Sequence, residues 1–244
     1  MKYIKKFQDN TALETYKKSN FVSPHIYLDS NLNAVKYMEE YIPLEYISST
    51  KTGGQYIDLG CHLMENTDDI QIDIKFNIRN RGKNSTNKQG TLIASQPEVS
   101  PYPGFVLRYL ENSSKKSIEL STKWQFTNSY WDDNRGRSKY LYYKYRDKLD
   151  NNIYEFTEIL DNIPQAQVSN FSCHLFCALD SSSNPFRFVE ADLYYLKFTK
   201  GGQVVRNLIP VQKVATNEIG LYDMENDHLY VSQGDDPFVA GPII

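Results

Sequence analysis

The sequence predicts a mainly β protein: an antiparallel β-sandwich of jelly-roll type, preceded by a small helix-plus-hairpin module. Three observations carry this reading. In "DDIQIDIKFNIR", Ile70, Ile72, Ile74, Phe76 and Ile78 are apolar at strict period two, with Asp73, Lys75 and Asn77 between them; this is the alternation of a half-buried strand. Aromatic usage is skewed, with 19 Tyr and 12 Phe against 2 Trp, and Tyr and Phe suit a pleated, half-buried surface. From Leu44 onward, short apolar segments are separated by turn residues, with few helical patterns, the spacing of a sandwich rather than of βαβ units.

The elements follow in order. "TALETYKKS" sets Thr11 and Glu14 at capping-box spacing before a short helical pattern. "FVSPHIYLDSNLNAVKYM" reads as two strands around the turn-forming "DSNLN". A hairpin of this size is marginal alone, so residues 1–42 form a module that needs a partner. Its apolar residues Ile4, Phe7, Leu13, Phe21, Val22, Ile26, Leu28, Val35 and Tyr37 are the expected attachment surface. "EEYIPLEY" reads as a junction to the domain at 43–244. Strands are then expected at "QYIDLGCHL", "DDIQIDIKFNIR", "GTLIASQ", "GFVLRYLEN", "KSIELSTKWQF", "KYLYYKYR", "NIYEFTEI" and "SNFSCHLFCALD". "LYYLKFT" and "VVRNLIPV" form a hairpin across "KGGQ", whose glycines supply positive φ. "IGLYD" and "DHLYVS" form another across "MEN". Pro210 is expected at a strand end or bulge, where no ladder donor is needed.

Composition excludes several classes. The net charge of −3 leaves no basic patch dense enough for nucleic-acid binding as the main task. No apolar run is long enough for a membrane, and "MKYIKKFQDN" lacks a secretory apolar core. Cys61, Cys173 and Cys177 are too few and odd in number for a disulfide framework. The expectation is a soluble chain made in a reducing cytoplasm.

Several motifs bear on chemistry. On one continuous strand, Cys173 and Cys177 of "SCHLFC" would share a face about 13 Å apart, with His174 opposite. That separation excludes a shared metal ion and favours buried, apolar cysteines. His25, His62, His174 and His228 are scattered, and no nucleophile elbow or phosphate loop occurs. The expectation is no cofactor and no metal. In "NSYWDDNRGR", Tyr130 and Trp131 can stack on a sugar while Asp132, Asp133, Asn134 and Arg135 hydrogen-bond its hydroxyls. The same acidic residues could instead hold calcium through oxygen. In the plainer reading, the Trp covers the core edge and the charges face water.

"LEYISSTKTGGQYIDLG", Leu44–Gly60, resembles the opening of laminin-G-like, concanavalin-A-like jelly rolls of bacteriophage virion proteins. Those begin with Tyr-Ile, a Ser-Thr-Gly-Gln stretch and Tyr-Ile-Asp-Thr-Gly; here Leu59 replaces the last Thr and two residues are inserted around Lys51. The closing segments "LYYLKF", "VVRNLIPV", "EIGLYD", "HLYVS" and "FVAGP" resemble the same domains, so the likeness spans roughly residues 44–242. The N-terminal "MKYIKKF…FVSPHIYLDSNLNAVKYM" is similar to leaders of virion proteins from phages of gut Bacteroidales, including the crAss-like group.

The resemblance implies a non-enzymatic virion component: a head fibre or capsid decoration protein, or a tail-associated adhesin. Its implied partners are other virion proteins, further copies of itself (a trimer, or a dimer) and host-surface polysaccharide, with no nucleic acid or membrane. It also implies that the last strands return beside the first and close the sandwich. Because related sandwiches include glycoside hydrolases with Glu-x-Asp and a second Glu on one strand, "VEADLYY" is relevant. Glu190 and Asp192 match, but Tyr194 stands where the second acid belongs. The expectation is no hydrolase activity, with Glu190 and Asp192 on the solvent face.

Overall fold

The computed structural model describes residues 40–50, 54–80, 88–96, 103–112, 115–122 and 153–244, with the strand backbones at Ile4–Lys6, Ile26–Leu28, Ala34–Val35 and Arg137–Tyr140. In chain order the strands are β1 (Ile4–Lys6), β2 (Ile26–Leu28), β3 (Ala34–Val35), β4 (Tyr41–Pro43), β5 (Ile47–Ser48), β6 (Ile57–Asp58) and β7 (Ile70–Asn80). There follow β8 (Lys88–Ser95), β9 (Phe105–Asn112), β10 (Lys115–Thr122), β11 (Arg137–Tyr140), β12 (Ile153–Leu160), β13 (His174–Leu175), β14 (Ala178–Leu179) and β15 (Pro185–Phe186). The last are β16 (Glu190–Lys200), β17 (Gln203–Lys213), β18 (Ile219–Asp223), β19 (His228–Val231) and β20 (Val239–Ala240).

The protein is mainly β, and from β4 onward every described strand pairing is antiparallel. One sheet runs β11-β10-β9-β8-β13-β6; the other runs β12-β7-β16-β17-β18-β19, with β4, β5 and β20 attached. Ile57, Leu92, Leu107, Leu120 and Leu175 of the first meet Ile72, Ile74, Phe76, Leu193, Leu196 and Phe198 of the second in one core. Two antiparallel sheets sharing a core are consistent with a β-sandwich. Each such buried side chain contributes about 1.5–3 kcal/mol.

Strand β7 has the expected register: Ile70, Ile72, Ile74, Phe76 and Ile78 are all buried. It lies between β12 and β16, so both of its edges are paired, while its apolar face packs into the core shared with the other sheet. The glycine hairpin is also as expected, with Gly201 and Gly202 at φ 54° and 79° between β16 and β17. Two successive residues with positive φ fit the right-handed strand twist.

The C-terminal segment closes the fold. Strand β20 pairs with β5, and Leu44 bridges Ile243. The amides of Glu45, Gly241 and Ile244 donate to the carbonyls of Pro242, Tyr46 and Pro43. These bonds engage the free edge of β5, which would otherwise be open to another chain.

Three expectations are revised. Tyr41–Pro43, within the supposed junction, is a sheet strand paired with β17. Pro210 lies inside β17, not at its end or at a bulge. On that side of β17 the pairing with β16 reaches Leu208, and the pairing with β4 starts at Val211. The Pro210 carbonyl accepts from Leu44 N at 3.0 Å in this gap, and a strand residue's N and O point the same way, so the missing donor falls where the partner strand changes. "SCHLFCALD" is not one strand: the chain turns at Phe176 (φ 65°), separating β13 from β14. Cys173 and Cys177 are nevertheless buried, as expected.

Before residue 40, β2 pairs antiparallel with β3 and parallel with β1. The helical pattern at 11–19 lies outside the described residues.

Candidate functional site

The face of β7 turned from the core carries Gln71, Asp73, Lys75, Asn77 and Arg79. Neighbouring β16 buries Ala191 and Leu193, then Leu196 and Phe198. The change of phase comes from a register shift between Leu193 and Tyr195, where Leu193 faces Phe76 and Tyr195 faces Lys75. Tyr194 is the extra residue of a bulge, a device that re-aims side chains. Tyr194 and Tyr195 therefore sit consecutively on the outer face, both half-buried.

Their surroundings form a connected surface. The Tyr194 ring lies 5.2 Å from the Tyr46 ring, and Lys75 Nζ stands 5.4 Å from the Tyr194 ring centre. The Tyr195 hydroxyl donates to Glu155 Oε1 at 3.0 Å, and Lys75 lies 3.8 Å from the same carboxylate. Burial pushes the Tyr194 phenol up to about 12, aided by Asp192. Tyr195 is also pushed up to about 12, by burial and then by its bond to Glu155. Both phenols thus stay neutral hydroxyls through the physiological range.

Two carboxylates flank the tyrosines. Asp192 is only 4% exposed. It accepts from Ser48 Oγ at 2.5 Å and Asn77 Nδ2 at 3.3 Å, and Arg79 Nε lies at 2.7 Å. Arg79 also donates to the Ser49 carbonyl at 3.1 Å. The expected pair of solvated charges is therefore corrected: Asp192 turns away from the core but is roofed by Ser48 and Arg79, and Glu190 precedes a second register shift. At the other end, Asp73 accepts from Thr157 Oγ1 at 2.5 Å, Gln71 Nε2 at 2.9 Å and Lys197 Nζ at 2.9 Å.

Burial alone would raise the Asp73 carboxyl, but the donors from Thr157, Lys197 and Gln71 together hold it below its ordinary value. A carboxylate with a lowered folded-state pKa adds stability that is complete above the unfolded value of about 3.9 and is lost as pH falls through the folded value. Asp73→Asn is expected to flatten the stability profile below about pH 4. Urea titrations of both proteins between pH 2 and 6 check this; parallel profiles would contradict it.

Of the residues expected from sequence, Tyr130, Trp131, Asp132, Asp133, Asn134 and Arg135 lie outside the described residues. So do Phe7, Leu13, Phe21, Val22, Tyr37 and His25. Ile4, Ile26, Leu28 and Val35 fall in β1–β3. His62 and His228 are exposed; His174 is buried, its Nδ1 2.9 Å from the Ser172 carbonyl. Among the described residues, no three His, Cys, Asp or Glu side chains group as metal ligands.

The Tyr46–Tyr194–Tyr195 surface was not anticipated. Its one signal is the doubled tyrosine in "EADLYYLKF", which breaks the strand's alternation. Such a surface offers ring faces, a cation, a carboxylate and neutral hydroxyls, a set suited to contacting a polyhydroxylated chain. No protein-family model, curated protein or solved structure matches the chain.

Proposed function

We propose that this protein is a non-enzymatic carbohydrate-binding component of a phage virion, with a concanavalin-A-like jelly roll that presents its outer sheet face to host-surface polysaccharide. The observation that carries the binding reading is the bulge in β16, which sets Tyr194 and Tyr195 side by side among Lys75, Glu155 and Tyr46. Aromatic rings beside oriented polar groups combine contact area with hydrogen-bond specificity at low entropic cost. A non-catalytic role is supported by Asp192, whose oxygens are engaged by Ser48, Asn77 and Arg79; a glycosidase acid must exchange protons with substrate. The virion setting, as head fibre or decoration protein with a tail-associated adhesin as the alternative, rests on the resemblance of the two ends of the chain. In this reading residues 1–42 attach to other virion proteins, and copies form a homo-oligomer, a trimer or a dimer.

The full chain is expected to bind a subset of bacterial surface polysaccharides on a glycan array. Tyr194→Ala and Tyr195→Ala should each weaken that binding about tenfold, the usual cost of truncating a central aromatic contact. Unchanged binding by both variants would remove the outer face from the proposal, and no binding to any polysaccharide would remove the carbohydrate. Mass spectrometry of purified particles tests the setting, and absence of the chain from them would overturn it.

A further inference from the structure

We propose that Cys61 and Cys173 are a built-in dithiol that a hydroperoxide converts to an intramolecular disulfide, with Cys61 the attacking thiol and Cys173 the resolving one. The two residues are far apart in sequence but adjacent in the fold. Cys173 N donates to the Cys61 carbonyl at 2.9 Å, and Leu59 N donates to the Cys173 carbonyl at 2.9 Å. The two bonds hold Cys173 against the Leu59–Cys61 turn, so the Cys61 and Cys173 backbones are direct neighbours, the close approach that a disulfide requires. Both side chains lie in the same buried core cluster, near enough for each thiol to affect the ionisation of the other. Gly60, at φ 58°, brings the chain back to this approach.

The environment distinguishes the partners. Cys61 is 9% exposed and Cys173 fully buried, so an oxidant meets Cys61 first. The neighbouring Cys173 thiol lowers Cys61 against the effect of burial, and the Arg206 guanidinium helps. Asp58 and Asp223 face the same thiol and oppose this, and the Tyr230 phenol lies close by. Burial raises Cys173, which stays protonated. Cys177 is pushed up to about 12 by burial and is the internal control. A thiol lowered by a cation and a neighbouring thiol is the more reactive kind.

The chemistry closes without a further reagent. The Cys61 thiolate attacks one peroxide oxygen, the O–O bond breaks and hydroxide leaves, giving Cys61 sulfenic acid. The Cys173 sulfur then attacks the Cys61 sulfur, the S–O bond breaks, and water leaves with the Cys173 proton. Two thiols lose two electrons in total and the peroxide gains them. The chain between the two cysteines runs through β7 to β12, so the link closes a long loop that contains much of both sheets. Cross-links of that kind restrict the unfolded chain most.

The full-length protein is treated with hydrogen peroxide, denatured, alkylated with iodoacetamide and analysed by intact mass and peptide mapping. The expected product has lost two hydrogen masses, carries one alkyl group on Cys177 and yields a Cys61–Cys173 linked peptide. Its melting temperature should rise by about 5 °C or more, reversed by dithiothreitol. Cys61→Ser should abolish the link, and Cys177→Ser should leave it unchanged. Three alkylated cysteines after oxidation, a link through Cys177, or sulfinic acid at Cys61 in place of the link would each overturn the proposal.

Discussion

Replacing Arg206 with methionine is expected to cost about 3–5 kcal/mol of unfolding free energy, the range for breaking a buried ion pair from one side. Asp223 is fully buried, on the core side of β18. It accepts from the amides of Asn207 and Glu225 at 3.1 Å each and from Asn226 Nδ2 at 2.7 Å. Those bonds order the β18–β19 turn but supply no opposite charge. Arg206 does, with Nε 3.6 Å from Asp223 Oδ2, while its terminal nitrogens donate to the carbonyls of Val205 and Leu59 at 2.7 and 3.0 Å. Methionine keeps much of the packing and removes the cation, leaving a carboxylate in a low-dielectric interior. Adding Asp223→Asn should recover most of the loss, because the amide oxygen keeps the backbone acceptor role without the charge. Urea denaturation of the two variants and the parent decides this. A single-variant loss under about 1 kcal/mol, or no recovery in the double variant, would show that the charge pair does not constrain this end of the fold.

Legibility in the sequence followed the range of the interaction. The alternation of β7, the Gly201–Gly202 hairpin and the β18–β19 hairpin are local patterns, and the register of each follows from adjacent residues. Closure by the terminal segment was an expectation drawn from the likeness of the two ends of the chain to other sequences, and the pairings of β20 with β5 and of Leu44 with Ile243 are long-range. What stayed hidden depends on a partner strand. That Tyr194 and Tyr195 both face outward is undetermined until β16 is laid against β7 and slips by one residue. The burial of Asp192 needs Ser48 from β5 and Arg79 from β7, neither of them near it in sequence. Cys61 meets Cys173 because β6 pairs with β13, which no spacing rule announces. Reading "SCHLFC" as one strand failed because the left-handed turn falls on Phe176, a residue with no turn preference.

Phe76→Ala is expected to cost about 3–5 kcal/mol, and Ile74→Ala about 2–5 kcal/mol. Both side chains are fully buried on the core face of β7, the strand held between β12 and β16. Phe76 has the larger effect because its ring is shared: it tilts against Tyr154 at 5.5 Å and meets Phe156 edge-on at 5.9 Å. Aromatic pairs of this geometry add about 0.5–1.5 kcal/mol to simple burial. Truncation leaves a cavity beneath an edge strand, and β12 cannot collapse into it without losing its ladder to β7. Lys75, between the two on the opposite face, is the internal comparison. Its ion pair with Glu155 is long and solvent-exposed, so Lys75→Ala should cost well under 1 kcal/mol. A urea titration of the three variants is expected to rank them Phe76, Ile74, Lys75 in falling cost. Were Lys75→Ala to cost as much as Ile74→Ala, the polar face would carry stability that only side chains packed across it could supply, and the assignment of that face to ligand rather than to a covering partner would have to be reversed.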